Sequence, residues 1–514
     1  MTKKLAPCLM IQGTSSHVGK SIIVTALCRI FYRMGYQVAP FKSQNMSNNA
    51  YVTIDGREIG RAQGVQAEAC GVFGNEKMNP ILLKPSSDGV SQIVLNGKAI
   101  AEVDAKEYRK SWVKKLWPHV KSSLKTLREE NDLVIIEGAG SPSEVNLRKG
   151  DIANMTVAKE CDAKVFLVGD IERGGMLASI VGTFEIIPKD ESDLISGIIV
   201  NKFRGDKSLL DPGLTFLEEK TGKPVLGVLP YFNDRLVEEE DSVGVNEKRN
   251  FSTNSENKIK VGVVKLPRIS NSTDFEPLEE HPDIELTYMD LQESINTNID
   301  CVILPGTKAT RDDLRLLMNS NLYKSSQNNL SNITIVGICG GFQMLGNKIN
   351  DLLGVEGEPG ESLGLNLLPV ETNYNSEKQT ERVELKVKSD HLNKNIFSEI
   401  SGSTLTGYEI HMGEIYVRDR NLIWLMNSKG DPKGVCSENG KVIGTFLHGI
   451  FDNHNFVEWF IKWVKKNNQY ENLRASTVNY KLEKEKKYNQ LADYVESSLD
   501  ITKICQELGL KNMK

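Results

Sequence analysis

What most restricts the fold of this chain is a recurrence of short apolar runs, each ending in a loop that contains Gly, Asn or Asp. In the first half they are LAPCLMIQG (5–13), QVAPFK (37–42), DLVIIEGAG (132–140), AKVFLVGD (163–170), SGIIVNK (196–202) and PVLGVLP (224–230). Such runs, set between helical stretches, read as strands of a mainly parallel sheet covered on both faces. A second series follows with KIKVGVVKLP (258–267), DCVILPGTK (300–308), ITIVGICGG (333–341) and KVIGTFLHG (441–449). Between the two, at about 232–259, the chain turns charged and poor in apolar residues, as a linker does. The expected fold class is therefore α/β, with two doubly wound domains and a helical C-terminal tail. The boundaries expected are 1–235, a linker over 236–257, 258–456, and a tail over 457–514. In the tail, Phe456, Trp459, Phe460 and Trp463 recur at helical spacing, which predicts a packing face. A length of 514 residues suits two or three domains.

Composition narrows the function classes. Against 63 Lys+Arg stand 68 Asp+Glu, a net charge of −5. No global positive field argues for a nucleic-acid partner, so any anion site must be built locally. The 8 Cys are scattered, with no CxxC pair, which argues against a disulfide framework or a zinc site. No stretch approaches the apolar length of a membrane span. The expectation is a soluble, cytoplasmic protein with no membrane partner.

The segment GTSSHVGKS (13–21) lies between the first apolar run and a helix-like stretch, the context a phosphate-binding loop requires. Glycines let several backbone N–H groups turn inward onto an anion, and a helix N-terminus adds its positive end. Gly13, Thr14, Gly19, Lys20 and Ser21 are the expected ATP-binding residues, with Lys20 on the outer phosphates and the Ser21 hydroxyl on Mg²⁺. A Mg²⁺ site also wants a carboxylate at the end of another strand, and Glu137 fits. Asp55, in a polar loop after the second run, is a further candidate ligand; beside Gly56 it reads equally as a turn aspartate.

The second site is ITIVGICGGFQMLG (333–346), where an apolar strand runs through Gly337, Ile338 and Cys339 into an apparent helix. Small residues around a cysteine permit the sharp turn that exposes a nucleophile. The N–H of Gly340 would bind an oxyanion, with a second donor expected from the Pro305–Thr307 loop at Gly306. A cysteine nucleophile needs a base, and His448 ends the last strong strand of this half. Glu409 and His411 share a strand face and read equally as functional or structural.

These motifs carry resemblances. The loop, with five residues between Gly13 and Gly19 where the common pattern has four, resembles together with EGAG the dethiobiotin synthetase group of P-loop proteins, which implies ATP-dependent activation of a carboxyl-type oxygen. The C-terminal half, with G-x-C-x-G, Gln343 and a distant His448, resembles the class I glutamine amidotransferases. That resemblance implies a thiol that releases ammonia from glutamine, and a role for Gln343 in binding it. It departs in one place: Ile450 stands where the family's acid follows the histidine, as in its cobalamin-pathway branch. His448 is therefore expected to be oriented by a backbone carbonyl, a water or a carboxylate distant in sequence, with a slow basal glutaminase.

APFKSQNMSNN (39–49), GAGSPSEVNLRKGDIANM (138–155), LPRISNSTDFEPL (266–278) and GYEIHMG (407–413) are similar to the cobyric acid synthase family. The resemblance spans the chain to about residue 455. It implies amidation of a corrinoid polycarboxylate with glutamine and ATP as co-substrates. A polycarboxylate needs positive and amide partners, so Lys42, Gln44, Asn45, Asn48, Lys84, Arg148, Arg173 and Arg204 are candidates for contacting it. Two readings stay open beside this one. The first is another P-loop/amidotransferase ligase, such as the a,c-diamide synthase; the second is a P-loop regulatory ATPase with an inactive amidotransferase module.

Overall fold

The computed structural model describes residues 5–87, 89–232, 258–295, 298–327, 333–388 and 396–510; the expected linker over 236–257 lies outside them. The chain divides into two compact units. One holds residues up to Ser47, Arg57 to the end of the first half, and the C-terminal stretch from Lys484. The other holds Asn48–Gly56 and the rest of the second half up to Glu483.

In the first unit, β1 (Cys8–Gly13), β2 (Val38–Phe41), β3 (Leu133–Glu137), β4 (Lys164–Asp170), β5 (Ile195–Phe203) and β6 (Val225–Pro230) form a six-stranded sheet in the order β6-β5-β4-β1-β3-β2. Every pairing in it is parallel. Strand alternation explains why the runs are largely apolar. Cys8 and Met10 enter the core on one face, while Leu9 and Ile11 enter the core on the other, against α1 (Lys20–Arg33). The C-terminal helices pack on that second face through Tyr488, Leu491 and Val495. The charged run 481–487 is only partly solvated, since Lys484 pairs with Glu68 and Glu485 with Arg29. A smaller four-stranded sheet, from Gln44–Met46, Ile81–Ser87, Val90–Leu95 and Lys98–Asp104, stands beside the main one.

In the second unit, β7 (Ile259–Val264), β8 (Ile284–Met289), β9 (Cys301–Leu304), β10 (Thr334–Ile338) and β11 (Val442–Thr445) are parallel, in the order β8-β7-β9-β10-β11. Mostly antiparallel strands extend the sheet beyond β11 to a total of eleven, among them the long hairpin of Val370–Val387 and Thr404–Val417. The aromatic face of the helix His454–Asn467 is buried as expected, with Trp459 3% and Phe460 0% exposed.

Candidate active sites

In the second unit, β10 delivers its last residue straight into a turn at Cys339, which sits at φ 51°, ψ −108°. That backbone conformation is strained for any residue with a Cβ, and it lifts the side chain clear of the sheet. The turn closes only because its flanks are small. A Cβ on Gly341 would lie 2.0 Å from the Leu304 carbonyl oxygen. Two further hydrogen bonds fix the turn: Cys339 N–H donates to Thr445 O at 2.8 Å, and Gln343 N–H donates to Cys339 O at 3.1 Å.

His448 follows β11 and is completely buried. Its Nδ1 lies 2.6 Å from Asp274 Oδ2, and the other oxygen of that carboxylate accepts the Gly449 N–H at 3.0 Å. Tyr408 stacks on the ring, with centroids 5.2 Å apart. Burial alone would lower the imidazole pKa. The Asp274 carboxylate and the Cys339 thiol, by charge and by hydrogen bonding, outweigh burial and lift it to about 10. An imidazolium between a carboxylate and a thiol is the electrostatic arrangement that favours thiolate. The expected gap at Ile450 is real, for Ile450 is a buried apolar residue. The acid is not missing, however: a carboxylate distant in sequence completes the set. The reason for expecting a slow, acid-poor dyad therefore falls away.

The two glycines expected at the oxyanion site also converge here. A Cβ on Gly306 would be 3.1 Å from His448 Cε1, and one on Gly340 would be 3.2 Å from Thr307 N. As the first residue of its helix, Gly340 has no intrahelical partner for its N–H.

Gln343, one helical turn beyond the cysteine, accepts from Tyr374 OH at 3.1 Å and Thr310 Oγ1 at 3.3 Å; its Nε2 is buried without a partner. Glu356 joins this cluster, Oε2 accepting the Thr310 N–H at 2.8 Å and the Tyr374 hydroxyl at 3.1 Å. Neither Glu356 nor Tyr374 was legible in the sequence, for they lie in a loop and on a hairpin strand with no motif. Glu409 and His411 form a buried network through Glu409 Oε2, while Glu409 Oε1 is buried without a hydrogen-bond partner among the described residues. Glu409 pairs with Lys433 and with His411 Nε2 at 3.2 Å, while His411 Nδ1 lies 2.7 Å from Gly413 O.

In the first unit the loop between β1 and α1 has the expected strand–loop–helix form. Gly19 at φ +100° needs to be glycine, since a Cβ there would also lie 2.2 Å from Asn201 Nδ2. Lys20 Nζ folds over the loop onto Ser15 O at 3.0 Å and Gly140 O at 3.1 Å. The Thr14 N–H is taken by Val168 O at 2.9 Å. Ser21 Oγ donates to Glu137 Oε1 at 2.9 Å, and Lys42 Nζ reaches the same oxygen at 2.9 Å. Two hard oxygen donors with a cation already drawn to them suit Mg²⁺. Asp55 is not brought to this pair within the unit: it belongs to the Asn48–Gly56 segment, where its Oδ1 accepts the Thr53 hydroxyl at 2.5 Å. Among the described residues no group of three or more His, Cys, Asp or Glu side chains is arranged so that it could hold a metal ion.

A cleft of about 510 Å³ opens beside the loop, lined in part by Ser16, Gly140, Gln44, Tyr108 and Arg148. Of the residues expected to meet a polycarboxylate, Gln44 and Arg148 line it. Most of the cations already hold acids: Lys42 holds Glu137, Lys84 holds Glu58, Arg148 holds Glu191 and Arg204 holds Glu172. Asn45 is buried against Gln63, Arg173 is exposed, and Asn48 belongs to the other unit.

Comparison with known proteins agrees with this division. The CobQ/CobB/MinD/ParA nucleotide binding domain matches residues 9–243, and the CobB/CobQ-like glutamine amidotransferase domain matches residues 260–456. A cobyric acid synthase of Desulfitobacterium hafniense is 44% identical over 99% of both chains. That of Desulforamulus reducens is 44% identical over 98% of this chain and 99% of its own. That of Caldanaerobacter subterraneus is 45% identical over 97% and 98%. The chain belongs to the cobyric acid synthase family. Like others of that family it is an amide-forming ligase with a P-loop nucleotide-binding domain and a glutamine amidotransferase domain.

Proposed function

We propose that the chain converts adenosylcobyrinic acid a,c-diamide into adenosylcobyric acid. It would amidate the b, d, e and g carboxylates with ATP and glutamine. The observation that carries this reading is the likeness to cobyric acid synthases along 99% of both chains, which takes in both units.

In the amidotransferase unit, the Cys339 thiolate attacks the side-chain amide carbon of glutamine. The N–H groups of Gly306 and Gly340 take the oxyanion. His448, held by Asp274, passes its Nε2 proton to the departing nitrogen, so ammonia leaves and a glutamyl thioester remains. The same imidazole then takes a proton from water as the thioester hydrolyses to glutamate.

In the nucleotide unit, Lys20 and the loop amides hold the phosphates, and Ser21 and Glu137 would hold Mg²⁺, which supplies charge neutralisation at the phosphates. A substrate carboxylate oxygen displaces ADP from the terminal phosphorus to give an acyl phosphate. Ammonia then displaces phosphate to give the amide.

The deciding experiment is mass spectrometry of the corrinoid after incubation with enzyme, ATP, Mg²⁺ and glutamine. Successive OH→NH₂ exchanges on the a,c-diamide support the reading. Product from cobyrinic acid alone, with none from the a,c-diamide, assigns the chain to the a,c-diamide synthases instead.

A further inference from the structure

The string QNMSNN (44–49) was expected to meet the corrinoid, but the structure divides it between the units. Residues up to Ser47 belong to the nucleotide unit, whereas Asn48–Gly56 belongs to the amidotransferase unit. There Asn49 and the strand Ala50–Val52 form a buried strap, no residue of it more than 1% exposed. A segment from the first half of the chain is thus built into the glutaminase side of the molecule.

Its hydrogen bonds go to the turn that carries the acid. Asn49 Oδ1 accepts the Ser272 N–H at 3.1 Å and the Ser272 hydroxyl at 3.4 Å, across 223 residues of sequence. The next residue, Ala50, donates its N–H to Asn271 Oδ1 at 3.0 Å. Asn271 sits in the left-handed region at φ 53°, ψ 44°, and its carbonyl accepts the Asp274 N–H at 3.0 Å. Since Oδ1 is taken by Ala50, Asn271 Nδ2 is the atom 3.4 Å from His448 Nε2. The strap also reaches what backs the ring. Ala50 and Val52 pack with Tyr408 and Ile410, and Tyr408 both stacks on His448 and exchanges two backbone hydrogen bonds with it. Arg382 ties the strap down, its Nε donating to Val52 O at 2.7 Å. A fully buried amide is costly unless its polar atoms are paired, and the partners of Asn49 Oδ1 lie two residues from the acid.

We propose that Asn49 is a positioning residue of the glutaminase: through Ser272, and through Asn271 by way of Ala50, it fixes the turn that presents Asp274 to His448. This rests on the glutaminase reading above and assigns part of that site to the first half of the chain. The competing account is that Asn49 meets the corrinoid, as expected of its neighbours in the string.

The test separates the two nitrogen sources in the full chain. Asn49→Ala removes the acceptor of both Ser272 bonds, which should lower glutamine hydrolysis about fivefold to fiftyfold. Amidation driven by added ammonia should stay within about twofold, since it needs no Asp274. The second readout is the alkaline limb of kcat/KM for glutamine, where the imidazolium is lost. Asp274 and Cys339 raise the His448 pKa, and Asn271 and Tyr408 are the other side chains against that ring. An Asp274 held less firmly should move the limb down by about one pH unit, whereas general loosening lowers the plateau and leaves the limb in place. Asn49→Asp restores an acceptor oxygen and should recover part of the loss. If Asn49→Ala does not fold, Asn271→Gly carries the test by the same readouts, for it tolerates the left-handed turn and removes the Ala50 bond. An equal fall in ammonia-driven amidation, an unmoved limb or unchanged hydrolysis overturns the assignment. Wild-type enzyme that amidates with ammonia but hydrolyses no glutamine would remove the glutaminase reading, and this one with it.

Discussion

His448 Nδ1 and Asp274 Oδ2 lie 2.6 Å apart although 174 residues separate them in the chain. The Gly449 N–H on the second carboxylate oxygen fixes Asp274 from the other side, so the ring can turn in only one way. With Nδ1 committed to the acid, Nε2 is the nitrogen that faces the thiol's chemistry.

Asp274→Asn should therefore keep the fold and lower glutamine hydrolysis by about 10²–10⁴-fold, because an amide can favour the wrong imidazole tautomer. Steady-state release of glutamate measures this. Hydrolysis within threefold of wild type would mean that the carboxylate only packs the ring.

Cys339→Ala should abolish glutamine-dependent amidation and leave amidation driven by added ammonia, since only ammonia release needs the thiol. Lys20→Ala should lose both, because without an acyl phosphate neither nitrogen source has an electrophile. Corrinoid product is followed with each nitrogen source. A Cys339→Ala variant that fails with saturating ammonium at alkaline pH while still binding ATP contradicts this division of labour.

Much of this architecture was readable from the chain. The apolar runs at 5–13, 37–42, 132–140, 163–170, 196–202 and 224–230 fall on the six strands of the first sheet, since a strand buried on both faces is largely apolar. Of the long hairpin, only the stretch around Glu409 and His411 reads as strand from its sequence; Val370–Val387 and the full length of Thr404–Val417 do not. They are half exposed, rich in Glu, Thr and Asn, and carry neither a continuous apolar run nor clean alternation. Asp274 stood in full view within LPRISNSTDFEPL, but spacing along the chain carries no signal for a contact made by tertiary folding. Glu356 was hidden for the same reason. Its environment, not its neighbours in sequence, sets its charge.

Gly341→Ala tests the geometry of the turn. The added methyl would meet the Leu304 carbonyl oxygen at 2.0 Å, a backbone atom that cannot swing aside. Overpacking of this kind should cost about 1–3 kcal/mol, read from denaturant midpoints at constant slope. A midpoint shift too small to resolve would show that β9 and the turn move apart without penalty.

The His448 proton should also show in stability against pH. The folded pKa of about 10 lies above the ordinary value of 6.5, so the folded state holds the proton more tightly than the unfolded chain does. The stability this supplies is fully present below about pH 6.5 and is lost as pH rises towards 10. Asp274→Asn removes the carboxylate whose charge and hydrogen bond raise that pKa. Taking the difference between wild type and variant cancels titrations that both share. That difference, from denaturant unfolding at a series of pH values, should be largest near pH 6 and should shrink steadily towards pH 10. A gap that stays level across that range would mean that Asp274 stabilises the unit by packing, and that no proton is held between it and His448.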